Sequence, residues 1–237
     1  MVSDFNAAHG STIGTRKGRW CVQTVKSAES GASTARLDTT PRQRLIDAMA
    51  ASVTDLGYSA TTVAEIVRRA RTSRRTFYEN FSDREACLVA LLTETNRQAV
   101  DTISAAVDPS AAWETQIRQA VHAWITNAES QPAVMLSWIR DVPALGLAAR
   151  RLQREVTESF ITMIRTLSDT AELRSAGIAM VSRQRAIMLI GGLRELTAMT
   201  VESGGRISDV SAEAVDAAVA LLGPPSAPGN QPAALSD

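Results

Sequence analysis

The sequence predicts an all-α protein. Helix-start signals recur along it, apolar residues repeat at helical spacing between them, and no strand-period segment bounded by hairpin turns occurs. An aromatic share of 4% beside 45% hydrophobic residues speaks against a β-rich chain, and 21% charged residues speaks against general disorder. At 237 residues the chain can bury a core of one large or two small domains.

Residues 1–38 predict a disordered, mildly basic tail. Gly10, Gly14, Gly18 and Gly31 interrupt it, Ser and Thr are frequent, and Arg16, Lys17, Arg19 and Lys26 outnumber Asp4 and Glu29. Such a tail either stays solvated or acts as an arm that adds phosphate or minor-groove contacts. The first helix opens at Thr40-Pro41-Arg42-Gln43, with an N-cap, a Pro at the first position and a capping-box Gln. Leu45, Met49, Val53 and Leu56 follow on one face, and Gly57 is expected to end the helix. Thr62-Val63-Ala64-Glu65 opens a short second helix through Ala70, and a third runs from about Ser73 to Phe81. Ser82-Asp83-Arg84-Glu85 reads as another capping box that starts a long helix ending before Asp108-Pro109.

Further along, Trp113, Ile117, Val121, Trp124 and Ala128 make one helical stripe, broken at Gln131-Pro132. A short helix from Pro132 to Arg140 stops at Val142-Pro143. The next carries Leu152, Val156, Phe160, Met163 and Leu167 on one face. Another is expected over about 173–203, with a break near Gly177 and an end at Gly204-Gly205, and the last over about 208–222. Residues 223–237, with four prolines, predict a second disordered tail. The expected organisation is therefore a tail (1–38), a three-helix domain (39–84), a larger helical domain (85–222) and a tail (223–237).

Composition excludes several function classes. Basic and acidic residues balance at 25 each, so any affinity for a polyanion must be local. Cys21 and Cys87 form neither a disulfide framework nor a CxxC zinc pattern, which suits a reducing, cytoplasmic setting. No apolar leader opens the chain and no run of about 18 apolar residues occurs, so no membrane association is expected. The residues offer no metal site and no cofactor motif. With two histidines, and no nucleophile elbow, phosphate loop or HExxH, an enzyme is not expected.

The informative stretch is 62–88. Two short helices joined by the tight segment Ala70-Arg71-Thr72 have the layout of a helix-turn-helix, whose second helix enters the DNA major groove. Arg68, Arg69, Arg71, Arg74 and Arg75 place five arginines in eight residues with no acid among them. In an otherwise neutral chain, that patch favours nucleic acid over an ordinary solvated face.

The run Ala70-Arg71-Thr72-Ser73-Arg74-Arg75-Thr76-Phe77-Tyr78-Glu79-Asn80-Phe81-Ser82-Asp83-Arg84-Glu85-Ala86-Cys87-Leu88 resembles the TetR/AcrR family of bacterial transcriptional regulators. Its Thr-Phe-Tyr core and the Phe-x-x-Arg-Glu that follows carry the resemblance, with Gly57 to Ile66 upstream, over about residues 42–92. One departure stands out. The family usually has Gly where this chain has Arg71, and a left-handed backbone there strains a non-Gly residue by about 1 kcal/mol.

The resemblance implies an N-terminal helix-turn-helix DNA-binding domain and a C-terminal helical ligand-binding and dimerisation domain. It implies a homodimer that reads a pseudo-palindromic operator in double-stranded DNA. The expected DNA contacts are Thr62, at a helix N-terminus facing phosphate; Arg71, reaching phosphate; Arg74 and Arg75, in the first turn of the recognition helix, suited to guanine; Ser73 and Thr76, to base edges or backbone; and Tyr78, Asn80 and Arg84, to phosphate. Phe77 and Phe81 read as core beneath that helix, against Leu45, Met49 and Ile66. The last two helices, about 184–203 and 208–222, are expected to pair two subunits, with Gly191-Gly192, Ala214, Ala217 and Ala218 permitting close approach. Leu193, Leu196, Val215, Val219 and Leu222 would supply the apolar surface.

A small apolar effector is expected in a chamber lined by Trp113, Ile117, Trp124, Met135, Trp138, Phe160, Met163 and Met188, stripes that otherwise serve as ordinary core. His122, Arg140, Asp141 and Gln184 are candidate polar anchors. The expected function is a repressor released from its operator by that effector. The alternatives are a ligand-independent regulator or an activator of the same fold and, remotely, a helical protein-interaction adaptor.

Overall fold

The computed structural model of the chain describes residues 40–224. Residues 40–224 belong to one compact unit, and the readings of the 1–38 tail, with Trp20 and Cys21, and of residues 225–237 lie outside the described residues. Among the described residues there are helices and no strands: α1 (Pro41–Ala60), α2 (Val63–Arg69), α3 (Arg74–Asn80), α4 (Arg84–Ala106), α5 (Trp113–Ser130), α6 (Pro132–Arg140), α7 (Leu147–Leu167), α8 (Ala171–Ser175), α9 (Arg183–Glu202) and α10 (Ser211–Leu222). None of them is long and apolar enough to cross a membrane.

Caps set most of the starts. Thr40, Thr62, Ser73, Thr170 and Ser182 each accept a backbone N–H three residues on. Two expected capping boxes are half-made. The Gln43 amide goes to Asp47, and the Glu65 carboxylate goes to Arg68 and Arg69. In each case a partner one turn ahead on the helix surface competes with the backbone N–H behind. The cap of α4 is Asp83 rather than Ser82: Asp83 Oδ1 accepts from Ala86 N at 2.7 Å, while the Ser82 hydroxyl donates to Asp83 Oδ2. An ionised acceptor at a helix N-terminus outcompetes a hydroxyl.

Gly57 does not end α1. It breaks the helix at φ 74°, and the helix resumes to Ala60, where the Thr61 hydroxyl donates back to Gly57 O. Leu56, just before this break, is 46% exposed, while Leu45, Met49 and Val53 are fully buried. The helix expected over 173–203 is divided into α8 and α9 around Gly177, which stands at φ 77°. A 3-10 turn at Ile207–Val210 precedes α10. Gly223 is not the start of a tail: it is packed against α5, and a Cβ there would lie 2.9 Å from the Trp113 ring.

Phe77 is the centre of the N-terminal core. It is fully buried, packs on Phe81 at 5.8 Å between ring centroids, and lies in one cluster with Leu45, Met49, Ile66 and Leu88. Burial of a ring of this size stabilises by about 1.5–3 kcal/mol, and it fixes α3 on α1. The same cluster continues without a gap into the later helices. Helix α4 packs on α1, α5 and α7, α6 lies between α1 and α9, and α10 lies against α5.

Candidate functional site

Helices α2 and α3 form the expected helix-turn-helix. The turn is held by backbone bonds from Ala70 N to Ile66 O and from Thr72 N to Val67 O. Arg71 stands at its apex with φ 49°, the left-handed region. The departure from Gly is therefore accommodated by strain and not by a different turn. Ser73 caps α3 through Thr76 N at 3.1 Å, and its Oγ lies 3.0 Å from Thr76 Oγ1. That pair limits how freely Ser73 and Thr76 can turn toward a partner.

The five arginines are not equivalent. Arg68 and Arg69 share the Glu65 carboxylate, and Arg69 also donates to Asp55 Oδ2 at 2.6 Å. These hydrogen bonds, Arg68's first and Arg69's next, hold the Glu65 carboxyl down at about 2. The sequence reading missed this because Glu65 and Asp55 lie outside the eight-residue window. A helix places Glu65 three and four residues before the two arginines, and that spacing was the available signal. Arg75 is exposed and reaches Glu79 at 2.9 Å. Arg71 in the turn and Arg74 at the first position of α3 are both exposed. Thr62, the cap of α2, is exposed, and Tyr78 is 59% exposed with its ring edge-on to Phe77.

Two of the expected phosphate contacts have work inside the fold. Asn80 is half-buried and donates through Nδ2 to Thr76 O at 2.8 Å. Arg84 is half-buried, stacks over the Tyr58 ring at 4.3 Å, and donates through Nη1 to the carbonyls of Tyr58, Ser59 and Thr61. It caps the end of α1. The guanidinium expected at phosphate is thus engaged within the fold, by three carbonyls that lie 23–26 residues upstream and were invisible to local spacing.

The eight expected chamber residues do not meet in one place. Ile117 and Met163 line an apolar cavity of about 60 Å³ between α5, α7 and α10. Met135 and Trp138 border a small hollow between α4 and α6, and Phe160 borders an open groove between α4 and α7. Trp124 is 7% exposed and packs edge-to-face on Phe160 at 5.5 Å, with its Nε1 buried and unpartnered. Trp113 abuts Gly223, and Met188 is 56% exposed on the outer face of α9, so neither is a wall of the cavity. Helical periodicity places residues on a face but does not say which neighbour covers the face. The sequence reading also missed Gln116, a buried polar side chain in the wall of that cavity. It interrupts the stripe from Trp113 to Trp124 on its inward side, and that was the available signal.

Of the expected anchors, Arg140 is committed to Glu195 and Glu202, joining α6 to α9, while His122 and Gln184 are exposed and Asp141 is half-buried. The two helices expected to pair subunits differ from each other. Ala214, Val215, Ala218 and Leu222 of α10 are buried within this chain. On α9, Ile187, Met188 and Met199 are exposed, and a Cβ on Gly191 or Gly192 would meet nothing within 4 Å.

Comparison with known proteins follows this geometry. The family described as "Bacterial regulatory proteins, tetR family" matches residues 45–91, which include α2, the turn and α3. The HTH-type transcriptional regulator BetI of Cronobacter sakazakii is 30% identical over 100 residues, 41% of this chain and 50% of that protein. The chain thus spans about half the length of the curated relative it matches. Among solved structures, FadR from Bacillus subtilis in complex with stearoyl-CoA has a TM-score of 0.65 at 15% identity, covering 76% of this chain and 96% of that one. The fatty acid degradation regulator FadR from Bacillus halodurans gives 0.66 at 17%, covering 78% and 96%. A tetR-family regulatory protein from Rhodococcus RHA1 gives 0.62 at 17%, covering 78% and 98%. At these identities the likeness is one of fold, and the match in sequence sits on the helix-turn-helix. The helix-turn-helix head, over residues 45–91, thus matches the tetR family of bacterial regulatory proteins.

Proposed function

We propose that the protein is a homodimeric transcriptional repressor that leaves a pseudo-palindromic operator when a small apolar effector binds. The observation that carries this reading is the N-terminal end of α3. Arg74 and Arg75 stand exposed there beside Arg71, on a helix anchored from behind by the fully buried Phe77. An arginine so placed can bond guanine O6 and N7 bidentately, worth about 1–3 kcal/mol of discrimination. Thr62, Arg71 and Tyr78 supply backbone contacts that set register. Ser73, Thr76 and Asn80 contribute through the face they hold in place. Residues 39–84 act as the head and 85–222 as the sensor and pairing region.

Pairing rests on α9. Its exposed Ile187, Met188 and Met199, with Gly191 and Gly192 between them, suit a second copy of the same helix. Glycines in mid-helix destabilise by roughly 0.5–1 kcal/mol each relative to Ala. Nothing in the packing of the described residues uses their small size, and a close neighbouring helix would.

The test is binding of the full chain to DNA from its own upstream region at two salt concentrations, beside Arg74→Ala/Arg75→Ala. A defined palindrome shifted by the wild type and not by the double variant is the expected outcome. Equal affinity for the palindrome and for competitor DNA in both proteins overturns the reading.

A further inference from the structure

The cavity between α5, α7 and α10 is lined by apolar side chains, among them Ile117, Val121, Met163 and Leu222, and by no charged residue. Two polar residues reach its wall. Ser168 is already paired both ways, since its Oγ donates to Arg165 O and accepts from Val181 N. Gln116 is different. Its side chain is 3% exposed, and its Nε2 donates to both Pro109 O at 3.2 Å and Ala111 O at 2.8 Å. Its Oε1 is buried and has no partner. Exchanging the amide O and N would set an oxygen against two carbonyls, so the two donor bonds fix the orientation. The acceptor is thereby left without a donor beside the cavity that Gln116 lines. A buried acceptor without a donor costs about 1–3 kcal/mol, and the fold does not relieve it from within.

We infer that this cavity is the effector site, and that it takes a compact, uncharged, apolar molecule bearing one hydrogen-bond donor, which the donor presents to Gln116 Oε1. The inference rests on the ligand-responsive reading above and names the ligand class for it. The size follows from the volume. At roughly 10–15 Å³ of such space per water-sized group, about 60 Å³ holds a handful of heavy atoms, and the Met163 side chain allows a little more. Charge is excluded because an ionised group would be desolvated here with no partner of opposite sign. The donor requirement is strict for the same reason that an unpaired acceptor is costly: an isostere without the donor leaves Gln116 Oε1 unsatisfied. Occupancy braces α10, through Leu222, and α9, through Leu189, against α5 and α7, so it acts on the helix that the pairing proposal uses.

The experiment uses the full chain and three small probes: 1-butanol, 1-fluorobutane and butanoate. Calorimetric titration is expected to give 1-butanol at least tenfold tighter than 1-fluorobutane, with no heat from butanoate. In Gln116→Met the two neutral probes become equal, and in Ala120→Leu, which fills the cavity from α5, neither binds. Equal binding of 1-butanol and 1-fluorobutane to the wild type overturns the proposal. So does absence of 1-butanol binding at millimolar concentration, or a 1-butanol preference that survives in Gln116→Met. If Gln116→Met does not fold, the probe pair on the wild type and the Ala120→Leu variant still decide. Operator binding is measured separately. A protein that selects 1-butanol but binds no DNA refutes the regulator reading alone, and one that binds its operator without selecting 1-butanol refutes the cavity assignment alone.

Discussion

Helices α3 and α9 both present side chains that nothing among the described residues covers, and they do so in opposite chemistry. On α3 the uncovered groups are Arg74, Arg75 and Tyr78, above a ring that is completely buried. On α9 they are Ile187, Met188 and Met199, around two glycines with open space beside them. The first surface is solvated alone and strengthens when a polyanion approaches. The second is apolar and is hidden only by another apolar surface. An uncovered residue therefore says little by itself; its neighbours decide whether it waits for a charge or for a partner helix.

The sharpest way to break the comparison is to put charge on α9. Met188→Asp is expected to convert the dimer to monomer in sedimentation analysis while leaving the circular dichroism spectrum unchanged. Operator affinity falls by about a hundredfold or more, since one head makes half the phosphate contacts of two. A monomer in the wild type would end the comparison from the other side.

The next effect separates reading from holding. Arg84→Ala removes the donor to three carbonyls at the end of α1. It is expected to lower unfolding stability by about 1–3 kcal/mol in denaturant titration. The salt dependence of DNA binding at 25 °C stays that of the wild type, whereas loss of a true phosphate contact reduces that slope by about one. Arg71→Gly goes the other way. Relief of the φ 49° strain is expected to stabilise by about 1 kcal/mol, a rise of roughly 2–4 °C in Tm. The salt slope of DNA binding drops by about one if Arg71 meets phosphate.

The smallest effect concerns acid. The Glu65 carboxyl is held at about 2 by Arg68 and Arg69, below its ordinary 4.5. A carboxyl lowered in the folded state contributes stability above the unfolded value and loses it as pH falls through the folded one. The difference in thermal midpoint between wild type and Glu65→Gln is therefore expected to hold above about pH 4.5 and to vanish by about pH 2. A difference unchanged across that window would show that the ion cluster contributes nothing.

The helix order and the helix-turn-helix were legible because caps and periodicity are local. Thr40, Thr62 and Ser73 declare their helices within three residues, and Phe77 is inward whatever packs upon it. What was illegible depends on long-range geometry. The sequence could not show that Arg84 reaches back to α1, or that Asp55 takes part of the charge of Arg69. It could not divide one apolar stripe between a cavity wall at Ile117 and a packed ring at Trp124. Gln116 was overlooked for a related reason: one polar residue in an amphipathic stripe reads as a boundary until its burial is known.

The anchoring of Arg84 also bears on motion. Its guanidinium grips the end of α1 from the first residue of α4, and Cys87 Sγ–H reaches Leu45 O one turn later. A few residues further along in space, Glu85 leans on Gly146 at the start of α7. The junction of the helix-turn-helix with the later helices is thus a weld and not a hinge, and α4 with its 23 residues is a lever. Over a helix of about 34 Å, a tilt of about 5° swings the far end by about 3 Å. That is a large share of the spacing between successive base pairs, obtained without bending any joint.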